Sequence, residues 1–187
     1  MSVDWNAHRF SGGPLALCAA NSVIWRSDPA RRADRFAEPA EIVRFADAAN
    51  VHCARELAGE RVAAVDAVAV KAIRETIDHL FRDAAGGGGL LDQKTLGELL
   101  VQAGRAMIAA NPGGAEPVPL DAALAGSALR IVYGGRIGRV RICGNCGWLF
   151  EDASRNGSRL WCDMAVCGNR AKARRHYRKK SGNSHAA

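Results

Sequence analysis

The sequence predicts a mainly α protein: a helical N-terminal part followed by a small C-terminal metal-binding module, built as a β-hairpin and a basic helix in a treble-clef-like plan. Three observations predict it. Apolar residues recur at helical spacing through the first two thirds of the 187-residue chain. Four cysteines near the C-terminus fall in two close pairs, Cys143 with Cys146 and Cys162 with Cys167. Positive charge collects in the same region: of a formal net charge of +7, residues 136–180 carry +9 and the remainder −2. On this reading the chain divides into a helical part (1–135), a metal module (136–180) and a disordered tail (181–187).

Gly12-Gly13-Pro14 breaks the chain, and Pro14 suits the first turn of a helix through Leu15, Cys18, Ala19 and Ser22. Pro39 starts a second helix with Ile42, Val43, Phe45, Ala46 and Ala49 on one face. The longest pattern runs from about Ala54 to Ala85, through Leu57, Val65, Val68, Ile73, Ile77, Leu80 and Phe81, and the Gly86 to Gly89 run ends it. Asp92 can cap the next helix, whose stripe is Leu96, Leu99, Leu100, Ala103, Met107 and Ile108. Prolines and glycines in 111–119 stop that helix. Residues 120–142 allow two readings: Leu120, Leu124, Ala128 and Ile131 suit a helix, while the stretch around Gly134-Gly135 suits a two-residue hairpin.

The cysteine spacing points to a structural metal site. A tetrahedral ion takes two ligands from a tight turn and two from an element folded back on it, and thiolates suit zinc. Four thiolates leave no position for substrate, so the Zn2+ would hold structure rather than catalyse. Trp148, Leu149 and Phe150 read as a strand, Ser154 to Ser158 as a turn around Asn156-Gly157, and Leu160-Trp161 as the return toward Cys162. Trp148, Phe150 and Trp161 would fill the mini-core. Cys18 and Cys53 stand apart and read as small buried hydrophobes.

A helix from about Asp163 to Lys180 follows. Seven Lys/Arg and no acid lie between Arg170 and Lys180, with Arg170, Arg174 and Arg178 at i, i+4. Like charges at that spacing destabilise an isolated helix, and phosphates relieve the repulsion. The expected nucleic-acid-binding residues are Asn169, Arg170, Lys172, Arg174, Arg175, Arg178, Lys179 and Lys180, with the cations on phosphates and Asn169 or an arginine on a base edge. The partner expected is DNA, most simply duplex. RNA, or a protein for which the finger acts as an adaptor, are the alternatives.

Histidines and acids in the helical part form no nucleophile or metal-pair motif, so no enzyme is expected. The N-terminal run M-S-V-D-W-N-A-H-R-F lacks the apolar core of a secretory signal, and no stretch is long and apolar enough for a membrane span. A cytoplasmic protein with reduced thiols is the expectation.

The run W-C-D-M-A-V-C-G-N-R-A-K-A, with F-E-D-A-S-R-N-G-S-R-L-W before it, resembles the CGNR zinc finger. The opening R-F-S-G-G-P-L-A-L-C-A-A-N-S-V and the later E-P-A-E-I-V-R-F are similar to the ABATE domain that precedes such fingers. The resemblance implies a bacterial, stress-linked transcription regulator that binds DNA through the finger. It assigns Cys143, Cys146, Cys162 and Cys167 as ligands and places Arg170 and Lys172 in the basic signature. It also leaves room for a small-molecule or stress signal, or a homodimer contact, at the N-terminal domain.

Overall fold

The computed structural model describes residues 2–110 and 117–183, with side chains to Arg178 in the last helix. Its elements in order are α1 (Leu15–Ala20), β1 (Val23–Ile24), β2 (Ala33–Asp34), α2 (Pro39–His52), α3 (Ala54–Leu57), β3 (Val62–Ala63), α4 (Ala67–Gly86), α5 (Gln93–Ala109), β4 (Val118–Pro119), α6 (Leu120–Tyr133), β5 (Val140–Ile142), β6 (Leu149–Glu151) and α7 (Asn169–Asn183). The protein is mainly α, and among the described residues its short strands pair two by two. No described helix is long and apolar enough to cross a membrane.

Helix α1 is the axis of the core. All six of its residues are buried, which their uniformly apolar character permits. Helices α4 and α6 pack on it, and α5 packs on both of these. A second focus lies under α2, where the Phe45 ring meets Trp5 edge-on at 5.1 Å and stacks on Phe10 at 5.3 Å. The Trp5 indole N–H donates to Glu41 at 2.9 Å, so the buried ring keeps its polar partner.

The start and stop signals act as expected at several ends. Pro39 opens α2, α4 ends at Gly86, and the Asp92 carboxylate accepts from the Thr95 N–H at 2.7 Å. In the ambiguous stretch, the helix holds through Tyr133 and Gly134-Gly135 terminates it; β5 then pairs with β6, not back across those glycines. Residues 111–116 of the expected loop lie outside the described residues.

Four expectations are corrected. The long pattern over 54–85 is two helices: Ala58 takes a left-handed φ of 52° and Gly59 one of 91°, and the chain runs extended through β3 before α4 begins. Val65 and Val68, assigned to the buried face, are exposed as a result. On α5, Leu99, Ala103 and Ala106 are buried, whereas Leu100, Met107 and Ile108 face outward. The finger hairpin is β5–β6, with Arg141 opposite Phe150; the 160–161 segment forms no strand, because the β6 edge that would receive it is already paired. The finger helix begins with a π-helical turn, Met164–Gly168, and α7 continues past Lys180 to Asn183. Residues 184–187 of the expected tail lie outside the described residues.

Strand β6 is the wall between two cores. Successive strand side chains point to opposite faces, so Leu149 joins the helical core while Phe150 packs with Cys143, Trp148, Cys162 and Cys167. The metal module is thereby fastened to the helices through its own hairpin.

Candidate metal centre

The β5–β6 connection is a tight knuckle. The Gly147 N–H donates to the Cys143 carbonyl at 2.9 Å and the Cys143 N–H to the Trp148 carbonyl at 2.8 Å. Gly147 sits at φ +73°, in the left-handed region that a side chain resists. Gly144 is needed for a different reason: a Cβ there would lie 3.0 Å from the Trp161 ring. Trp161 leads into Cys162, and the π-helical turn then delivers Cys167. Asp163 caps that turn, accepting from the N–H groups of Ala165 and Val166.

The four sulfurs of Cys143, Cys146, Cys162 and Cys167 all lie within 4.8 Å of one another. Cys162 stands 3.7 Å from both Cys146 and Cys167. A metal bonded to four thiolates at about 2.3 Å in a tetrahedron sets its sulfurs about 3.8 Å apart. The donor set therefore fits a closed, structural metal site. Three of the cysteines are buried and Cys146 is half-buried. Hydrogen bonds from Cys146 and Cys162 lower the Cys143 thiol far below its ordinary value. Hydrogen bonding to Cys143 pushes Cys146 up strongly and Cys162 up to about 12.

Several contacts invisible at the level of motifs hold this centre in place. His8 Nδ1 lies 2.8 Å from Asp163 Oδ2, and its ring stacks on Trp148 at 5.3 Å. Arg82 of α4 donates to the Gly147 carbonyl at 3.0 Å while its guanidinium pairs with Asp78. Arg159 donates to the Trp161 and Cys162 carbonyls and lies over the Phe150 ring. Burial lowers Arg35 to about 10, and its guanidinium packs over Trp148. His8, Arg35 and Arg82 come from the helical part, more than sixty residues before the knuckle in the case of Arg82. Only Asp163 carried a local signal, as a cap just before a helix. Trp148 and Phe150 are buried as mini-core, and Trp161 is half-buried between Gly144 and Gly168.

Beyond Cys167, α7 turns outward. Arg170, Lys172, Arg174, Arg175 and Arg178 are all exposed, and none is ion-paired among the described residues. Arg174 donates to the Asn145 side chain in the knuckle, and a groove of about 630 Å³ lies between Gly144 and Ala171, Arg174, Arg175 and Arg178. Asn169 is exposed and donates to the Ala165 carbonyl at 2.8 Å. The side chains of Lys179 and Lys180 lie outside the described ones.

No curated protein matches the chain. Residues 139–180 match the CGNR zinc finger family, a stretch that takes in β5, the knuckle, all four cysteines and the exposed basic helix.

Proposed function

We propose that this protein is a zinc-dependent DNA-binding protein of bacterial transcription-regulator type, in which the finger helix grips duplex DNA. The observation that carries the reading is the exposed cationic face from Arg170 to Arg178, held against a four-thiolate cluster by the knuckle it borders. Zn2+ is the metal best suited to four thiolates in a closed tetrahedron; when bound it supplies structure and no chemistry. The chain's own residues do the rest. Cys162 and Cys167 would hold the metal on either side of the turn that Asp163 caps, which sets the direction of α7, and Arg174 on Asn145 ties that helix to the knuckle. Arg170, Lys172, Arg175 and Arg178, with Lys179 and Lys180, are left to contact phosphates, and Asn169 stands at the helix start within reach of a base edge.

The helical part is the sensing or dimerising half on this reading, and its opening residues resemble the ABATE domain. No catalytic role is assigned to it, and the cytoplasm is its proposed compartment, where the thiols stay reduced for metal. Competition between duplex DNA and structured RNA for the zinc-loaded protein tests the choice of partner. Duplex DNA should displace bound probe at lower concentration than RNA. Preference for RNA would replace the DNA reading, and binding of neither would leave the finger a protein-docking module.

A further inference from the structure

Helix α5 carries two apolar stripes, and among the described residues only one packs inside the chain. Leu99, Ala103 and Ala106 are buried, where α5 packs on α4 and α6. About a third of a turn away, Gly97, Leu100, Val101, Gly104, Met107 and Ile108 recur at spacings of three and four, a continuous line on one side of a helix. Leu100 is 41%, Met107 45%, Val101 54% and Ile108 85% exposed. A Cβ added at Gly97 or Gly104 meets nothing within 4 Å. Two glycines that weaken a helix interior thus sit on a face whose large apolar neighbours the described residues leave exposed.

The centre of the stripe is symmetric. Gly97, Leu100, Val101 and Gly104 read with the same spacing from either end. An isologous two-fold contact demands that symmetry, since residue i of one copy meets j of the other and j meets i. Antiparallel pairing centred between Leu100 and Val101 sets Gly97 against Gly104 of a second copy, and the missing side chains let the two helix axes approach closely.

The charges fit the same arrangement. Wound at 3.6 residues per turn, Lys94, Glu98 and Arg105 all lie along one edge of the stripe. The other edge runs into Leu96 and Ala103, on the side used inside the chain. Antiparallel helices related by a two-fold axis present the same edge to each other. Glu98 of each copy then falls beside Arg105 of the other, twice per dimer. Parallel pairing would set the charged edge against the apolar one. Glu98 and Arg105 are exposed, and neither is ion-paired among the described residues.

We propose that α5 is a homodimer face, on which two copies of this chain pair antiparallel through Leu100 and Val101, with Gly97 against Gly104 and Glu98 near Arg105 across the two-fold. The proposal stands on α5 alone and does not depend on the nucleic-acid reading.

Sedimentation velocity of the full, metal-loaded chain over a concentration series tests it. The native chain should be dimeric at micromolar concentration. Leu100→Glu with Val101→Glu should weaken the dimer at least about tenfold, as loss of central apolar contacts does. Gly97→Leu with Gly104→Leu separates association from folding. Both positions are open in the monomer, so circular dichroism and metal content should be retained while the dimer is lost. Glu98→Arg and Arg105→Glu should each weaken the dimer by about fivefold, from two symmetric surface pairs, and the double reversal should restore it. A native chain that stays monomeric throughout the series, or a dimer indifferent to L100E/V101E, would overturn the proposal. A double reversal weaker than both singles would contradict the antiparallel register.

Discussion

The carboxamide of Asn21 and the backbone of Leu149 close a pair of hydrogen bonds: Nδ2 donates to the Leu149 carbonyl at 2.8 Å, and Oδ1 accepts from its N–H at 2.8 Å. The amide plays the part of a neighbouring strand. Next to it, the Glu151 N–H donates to the Gly12 carbonyl at 3.0 Å. Together they satisfy the outer edge of β6, which a buried edge strand needs. Since Leu149 faces the helical core and Phe150 the cysteine cluster, Asn21 fixes the seam between the two cores.

Asn21→Leu removes one partner of two buried backbone groups. It should cost about 1–3 kcal/mol, the penalty of leaving such groups unpaired, read as a lower denaturation midpoint with an unchanged slope. Unaltered stability would mean that the β6 edge finds other partners.

Metal removal should act unevenly along the finger. The hairpin β5–β6 is anchored by Val140 and Leu149 in the helical core, whereas the segment from Trp161 through α7 depends on Cys162 and Cys167. Hydrogen exchange after chelation should therefore rise most in 161–178 and least in 140–151 and helices α1 to α6. Cys167→Ser removes a ligand, and its metal affinity should fall by more than the about 10–100-fold typical of an outer-shell loss. Equal loss of protection in all segments would refute this division.

Acid should loosen the β2–α4 contact. Burial raises the carboxyls of Asp34 and Glu75, but hydrogen bonds and charge from Arg74 and Arg26 outweigh it and hold both below their ordinary values. A carboxyl lowered by folding contributes stability that is present above its unfolded pKa, near 4, and lost as the pH falls through the folded value. Stability should thus decline from about pH 5 downward. The D34N/E75Q variant, which leaves the buried Arg74 guanidinium without carboxylates, should be less stable at neutral pH and lose less on acidification. Parallel pH profiles for the two proteins would contradict the assignment.

Asp152 organises the loop after β6. Its buried carboxylate accepts from the N–H groups of Ser154 at 2.9 Å and Arg159 at 2.8 Å; burial raises its pKa, and these bonds bring it below the usual range. Asp152→Ala should destabilise the protein by about 1–3 kcal/mol and weaken metal binding through Arg159, which holds the Cys162 carbonyl. Unchanged metal affinity would show that Arg159 keeps its place without the loop.

The elements written in local chemistry were the legible ones. Pro39, Asp92 and the two cysteine pairs each carry their structural role in a few adjacent residues. Leu57 to Val65 misled because apolar spacing continued across a break whose signal was the single Gly59, with Ala58 left-handed before it. The Asn156-Gly157 turn does form, with Gly157 at φ +60°, but β6 had already paired with β5, so the expected return strand had no place. Contacts such as His8 with Asp163, separated by 155 positions, leave no trace in local pattern, and they complete the site.

The central claim is that the cationic face of α7 binds DNA through phosphates. The most direct measurement is the affinity of the zinc-loaded protein for random duplex DNA across a salt series, beside a variant with Arg174, Arg175 and Arg178 changed to alanine. With about six phosphates neutralised, the log–log slope should be about −5, flattening by about 1.8 units in the variant if Arg175 and Arg178 each contact one phosphate. A slope near zero, or a variant that binds like the native chain, would contradict the account.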